Sequence, residues 1–229
     1  MRLLVVAVIL GGCIDAVDAR WQLDHDHVIA VRANPPRIMP GERAELDALV
    51  AHQGALTAIE TPAEAALIDA PDALASLVRY DGAHWFVEAP AADVLRAVRA
   101  KIGYSEGAAI PVDVYAAWPD ARGDAMYAKK TVWLGAAAEN PPMPPAAIDG
   151  APMAPAVVVP RETDVYLSVD VPADWRVSWL TSCGQLHQDD VATSFLRVEP
   201  GDREDGELAV VVRDRDGGVA WDVRPLRAE

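Results

Sequence analysis

Residues 206–221 read GELAVVVRDRDGGVAW, two apolar runs joined by a short charged segment that ends in a glycine pair. Leu208 to Val212 and Val219 to Trp221 are rich in the aliphatic and aromatic side chains that suit a pleated strand. Between them, Asp214-Arg215-Asp216-Gly217-Gly218 has the chemistry of a hairpin connection, because glycine takes positive φ without steric cost. Strand, turn and strand is therefore the expected local structure. Moving back along the chain, Asp164 to Val171, Trp175 to Thr181 and Ala192 to Val198 precede Glu207 to Arg213 and Gly218 to Leu226, with turn-rich gaps between them. Short strands at this spacing predict a β-sandwich over residues 137–229.

The preceding stretch, 27–136, reads as a second β-rich unit of less regular pattern. His27 to Ala33 is a strand signal that ends at Asn34-Pro35-Pro36, and Pro40-Gly41 marks a turn. Ala44 to Val50 then alternates apolar with acidic side chains, as suits a sheet with one buried and one wet face. Pro90 to Gly103 reads as a helix near 90–102, with Leu95, Val98 and Ile102 on one face and Gly103 as its stop. Ile110 to Trp118 and Met126 to Leu134 form a predicted hairpin across Pro119 to Asp124, whereas 55–88 reads ambiguously. Two short echoes point to tandem units: Ala33-Asn34-Pro35-Pro36 with Ala138 to Met143, and the Pro40 turn with Pro160-Arg161-Glu162. The Pro-rich stretch 140–160 fits a linker with an edge strand, since proline lacks a ladder donor.

The run Trp175-Arg176-Val177-Ser178-Trp179-Leu180-Thr181-Ser182-Cys183-Gly184 is similar to the middle strand of bacterial immunoglobulin-like domains, and residues 206–221 resemble their closing hairpin. The whole layout resembles lipoproteins of myxobacterial type, which carry an A-x-P-P-x-x-x-P-G strand and turn and a terminal immunoglobulin-like unit. The resemblance implies a mainly β chain of two tandem immunoglobulin-like sandwiches, the first with a helical insertion. It brings no activity with it, because a fold does not fix a function.

The opening segment, MRLLVVAVILGGC, has one basic residue, a short apolar core and two glycines before Cys13. A spanning helix needs about 20 apolar residues, so this run fits the three-part pattern of a secretory signal instead. Leu10-Gly11-Gly12-Cys13 resembles a bacterial lipobox. That resemblance implies that residues 1–12 are removed, that Cys13 is the lipid attachment site, and that 13–26 form a tether. Two acyl chains anchor a protein stably where one does not. Ile14, rather than an aspartate, follows Cys13, which by the enteric sorting rule directs the protein to the outer membrane.

The formal net charge of −15 disfavours nucleic acid, whose phosphates require a basic footprint. With Cys13 acylated, Cys183 has no partner within the chain, so stability must come from apolar cores rather than a disulfide framework. Trp21, Trp85, Trp118, Trp133, Trp175, Trp179 and Trp221 supply large apolar surfaces for them.

No catalytic residue, metal site or cofactor is assigned. Asp24-His25-Asp26-His27 has ligand-type side chains, but in an extended segment acids and imidazoles face opposite ways, and the segment reads as a solvated tether. His52, His84 and His187 are scattered. Ser182-Cys183-Gly184 lacks the surroundings of a nucleophile elbow and reads as a buried strand thiol. The acidic segments 202–207 and 214–218 read as solvated turns. The Lys129-Lys130 pair is too small for a basic patch. The expected function is a lipid-anchored, non-enzymatic envelope protein, an interaction or scaffolding module for a protein or polysaccharide ligand. Two alternatives remain: a metal-dependent hydrolase of envelope polymers using His25, His52, His84 and His187, and an adhesin stabilised by calcium in the acidic loops.

Overall fold

The computed structural model describes residues 19–68 and 70–229. The first half contains strands β1 (His27–Asn34), β2 (Arg37–Ile38), β3 (Arg43–His52), β4 (Ala55–Glu60), β5 (Glu64–Leu67), β6 (Val78–Tyr80) and β7 (Trp85–Glu88). Helix α1 (Ala92–Ile102) follows, and then the long hairpin β8 (Ile110–Pro119) and β9 (Ala125–Leu134). The second half contains β10 (Ala146–Ile148), β11 (Ala151–Pro152), β12 (Val157–Val159), β13 (Val165–Val169), β14 (Arg176–Thr181), β15 (Gln185–His187), β16 (Thr193–Arg197), β17 (Asp205–Arg213) and β18 (Val219–Ala228).

The two halves share one topology. In the first, the sheet β1-β3-β7-β6, with β4 added to β3, faces the sheet β2-β9-β8-β5. In the second, β10-β13-β16-β15, with β11 at its edge, faces β12-β18-β17-β14. Strand for strand these orders correspond, and in both the early short strand runs parallel to the last: β2 on β9 and β12 on β18. Both are immunoglobulin-like β-sandwiches. The chain changes sheets at proline-bearing segments, Pro35-Pro36 in the first unit and Pro152 to Pro155 in the second, where the missing N–H prevents the ladder from continuing.

This correspondence corrects one of the two sequence echoes. Asn34-Pro35-Pro36 follows β1, whereas Asn140-Pro141-Pro142 precedes β10, the equivalent of β1, so the two segments occupy different places. The turns before β3 and β13 do correspond. Gly41, at φ 81°, matches Glu162, which takes φ 57° despite its side chain.

Each sandwich has its own core. The first is built on Ile38, Leu46, Val87, Val112 and Leu134, and closed at one end by Leu95 and Val98 of α1. Ile102, expected on the same face, is 39% exposed. Gly103 ends the helix in the left-handed region, as its position in the sequence predicts. The second core surrounds Leu167, Trp179, Leu196, Leu208 and Val210. Of the seven tryptophans, Trp118 and Trp179 are fully buried, and their indole N–H groups donate to the carbonyls of Glu60 and Val191.

A third apolar cluster lies between the units. Leu23, Ala30, Leu49 and Ala51 meet Leu180, Ala209, Val211 and Val219, with Leu56 and Trp221 at its margin. The outer face of the β1-β3 sheet is thus laid on the outer face of the β14-β17-β18 sheet. Leu208 to Val212 are all buried, alternately in their own core and against the first unit. β3 behaves likewise: the one-sided alternation read from Ala44 to Val50 holds to Asp47, and then Ala48 to Ala51 are buried on both faces.

The same cluster overturns the tether reading over its described part. Leu23 is fully buried, its N–H donates to the Thr181 carbonyl, and the Thr181 N–H donates to Trp21. Residues 20–23 are therefore docked on the second unit, and Asp26 accepts from the Ala121 N–H of the first.

Gly184 shows how tightly the second sandwich is closed. It has φ 81°, and a Cβ there would lie 2.5 Å from the Arg197 carbonyl oxygen. Gly82, at φ 103°, has open space around it. Urea unfolding should find Gly184→Ala destabilised by about 2–4 kcal/mol, from left-handed strain plus overpacking. Gly82→Ala should lose only the strain, about 1–2 kcal/mol.

Candidate functional site

A cavity of about 580 Å³ opens where the units meet. Its walls are residues 28–31 of β1 and 128–131 of β9 on one side, and Arg176 and the β17–β18 turn on the other. The volume falls in the range of small-ligand sites. The acidic turn read from the sequence as a solvated hairpin connection, 214–218, is here a plug between units. Arg37 donates from Nε to the Asp216 carbonyl at 2.8 Å and pairs with its carboxylate at 2.9 Å. Asn140 accepts from the Val219 N–H and donates to the Ala33 carbonyl, tying both units to the linker.

Lys130 is the unusual member. In β9 it occupies the same row as Met126, Ala128, Val132 and Leu134, which faces the sandwich interior. It is 8% exposed, and its Nζ donates to the Gly217 carbonyl of the other unit at 2.5 Å. Burial pushes its ammonium down to about 8, Arg213 adds repulsion, and Asp214 opposes both. Among the described residues no carboxylate lies within ion-pair distance of Lys130 or Arg213. Arg213 donates to Ser178 Oγ and to the Ile29 carbonyl. Burial, and then Arg176, hold its guanidinium below the ordinary arginine value. Arg176 and Arg213 are directly paired across β14 and β17, an arrangement of like charges that opposes sheet pairing.

The acids at this cavity are occupied elsewhere. Asp214 Oδ1 accepts the N–H groups of Asp216 and Gly218, and Asp174 pairs with Arg215 at 3.7 Å. Lys129 points the other way, to Asp113 on the outer face. The dismissal of Lys129-Lys130 is therefore corrected. Lys130 joins Arg176 and Arg213, supplied by a distant part of the chain, in a basic cleft within a strongly acidic protein. One signal for it existed, a lysine at an apolar-row position of β9; the arginines gave none.

The residues weighed for other chemistry are dispersed. Cys13 lies outside the described residues. The His25 and His27 rings stack at 4.5 Å, and Asp26 accepts the Ala121 N–H. His52 pairs with Glu60 at 2.9 Å, His84 lies in the turn after β6, and His187 ends β15. Among the described residues no three His, Cys, Asp or Glu side chains are placed to share a metal ion. Asp202 caps the Glu199 N–H, and Glu204 reaches Arg161. Cys183 is buried, its Sγ donates to the Arg203 carbonyl, and burial pushes the thiol up, opposite to a nucleophile's requirement.

No family model and no curated protein matches this chain. Among solved structures it is similar to murine CEACAM1b, at 10% identity and TM-score 0.29 over 87% of this chain and all of that one. The tandem Ig repeats of Dlar give 12% identity and TM-score 0.28 over 87% of this chain and 97% of that chain. Bacteroides ovatus SGBP-B, in complex with a mixed-linkage heptasaccharide, gives 12% and 0.21 over 90% of this chain and 45% of that one. At such values no function passes from these proteins to this one.

Lys130 gives the cleft a pH signature. Its folded-state value is about 8 against 10.5 ordinarily, so between those limits the unfolded chain binds more protons and stability rises with pH. In phosphate-free buffer, wild type should gain up to about 3 kcal/mol relative to Lys130→Met from pH 8 to 10.5. Parallel pH profiles for the two proteins would contradict this.

Proposed function

We propose that this protein is a lipid-anchored, non-enzymatic interaction module of the bacterial envelope, related to lipoproteins of myxobacterial type. Residues 1–12 act as its signal and Cys13 as its acylated N-terminus. The observation that carries this reading is the segment Leu10-Gly11-Gly12-Cys13 behind a basic start and a short apolar core. Among the described residues no helix is long and apolar enough to cross a membrane; the proposal assigns attachment to acyl chains on Cys13. Sorting to the outer membrane follows from Ile14 after the cysteine.

In this proposal the docked residues 20–23 orient the body relative to the bilayer. From Cys13 to Ala19 the chain spans at most about 22 Å when extended. The attachment of Trp21 and Leu23 to the end of β14 supports a second unit that lies next to the membrane in this proposal. The units are joined through an apolar cluster and cross-unit hydrogen bonds, among them Trp221 Nε1 to the Ala58 carbonyl at 2.8 Å and Leu56 N–H to Glu207. Such a body presents one fixed surface to a protein or polysaccharide partner, with the interunit cleft as its concave feature. Support for a non-catalytic role comes from the placement of the reactive groups: the thiol is buried and the histidines are spread over separate strands and turns.

Metabolic labelling with radioactive palmitate in the host tests the anchor. Wild type should incorporate label and partition into detergent, and Cys13→Ala should do neither. Equal labelling of the variant, or none of wild type, would refute the anchoring.

A further inference from the structure

The cleft has a charge problem that the protein does not solve by itself. Lys130 and Arg213 come from different units, are withdrawn from water and have no carboxylate partner among the described residues, although the chain has 35 acidic residues against 20 lysines and arginines. Asp214 and Asp174 also line the cleft, but the first accepts the Asp216 and Gly218 N–H groups and the second pairs with Arg215, and a buried cation without a directly bonded counter-charge opposes folding. A third cation, Arg176, stands directly across the strand pair from Arg213. Donor capacity is left over too. Lys130 uses one of its three N–H bonds, on Gly217, and Arg213 uses two of its five, on Ser178 and Ile29. The Arg176 side chain makes no hydrogen bond or ion pair among the described residues.

We propose that the cleft is an anion-binding site that takes a phosphate monoester between Lys130, Arg176 and Arg213. A single carboxylate offers one charge to three mutually repelling cations; a phosphate monoester offers nearly two, with three acceptor oxygens. At neutral pH Lys130 is still protonated, so the site is charged when empty, and a bound dianion relieves the repulsion. The cavity of about 580 Å³ is much larger than a phosphate group. Its further walls, Val28 to Val31 with Trp133 and Val219, have space for the organic part of the ligand. Because strands β9, β14 and β17 hold the three cations, the site exists only while the units are docked. This inference is independent of the lipid anchor.

Isothermal titration of the purified protein tests it, with two probes at constant ionic strength: inorganic phosphate, and dihexanoyl phosphatidate below its micellar concentration. Phosphate should bind in the millimolar range or tighter, and Arg176→Gln and Lys130→Met should each weaken it about tenfold. Arg176 is exposed on β14, so its variant should keep the wild-type circular dichroism spectrum even if Lys130→Met does not. Tighter binding of the phosphatidate supports the site and assigns it to a lipid headgroup; equal or weaker binding supports it and assigns it to a soluble phosphate. Absence of heat from both probes, or an affinity unchanged in Arg176→Gln, would overturn the proposal.

Discussion

The contact on which the rest of this structure depends is the apolar seam between the outer face of β1-β3 and the outer face of β14-β17-β18. An outer sheet face in an isolated sandwich carries alternating polar residues toward water. Here Leu49 and Ala51 on one side, and Ala209 and Val211 on the other, would expose hydrocarbon if the units separated. Their burial explains several local features at once. β17 lacks polar alternation because both its faces are covered. The segment before β1 is docked because Leu23 completes the seam. The cavity with its basic wall exists because the two sheets meet along part of their length and diverge beside the β17–β18 turn.

The seam also explains why charges end up where ordinary strand logic would not put them. Lys130 sits in an inward row yet is not in the hydrocarbon core, because its end emerges at the Gly217 carbonyl of the neighbouring unit. Arg32 pairs bidentately with Asp47 and lies over the Trp221 ring at 4.3 Å, so a charge pair of the first unit packs on an aromatic ring of the second. Desolvation by burial, more than any single neighbouring charge, sets the electrostatics of Lys130 and Arg213.

Much of this was legible in the sequence and some was not, for identifiable reasons. The hairpin at 206–221, the strands of the second unit, the helix ending at Gly103 and the paired hairpin of β8 and β9 all follow from periodicity and turn chemistry. Strands β4 to β7 were ambiguous because they are only 3–6 residues long, too short for a period to stand out. Within 140–160, which reads as a linker with an edge strand, the prolines leave three short strands, β10 to β12, with β11 and β12 at sheet edges; β15, three residues long, gives no period to read. The cleft was hidden because Lys130 is 46 and 83 positions from Arg176 and Arg213, which β14–β17 pairing joins, and only tandem docking brings it to them. Leu208 to Val212 did carry a hint: an unbroken apolar strand needs cover on both sides.

Hydrogen exchange across the seam tests the central claim most directly. Val211 lies in the second unit, yet its side chain packs against the first. Placing a charge there with Val211→Asp should therefore raise the exchange rates of the Leu49 and Ala51 amides in the first unit by at least about tenfold, equivalent to roughly 1.4 kcal/mol. If those amides exchange as in wild type while only the second unit loosens, the units are independent and this account of the seam is wrong.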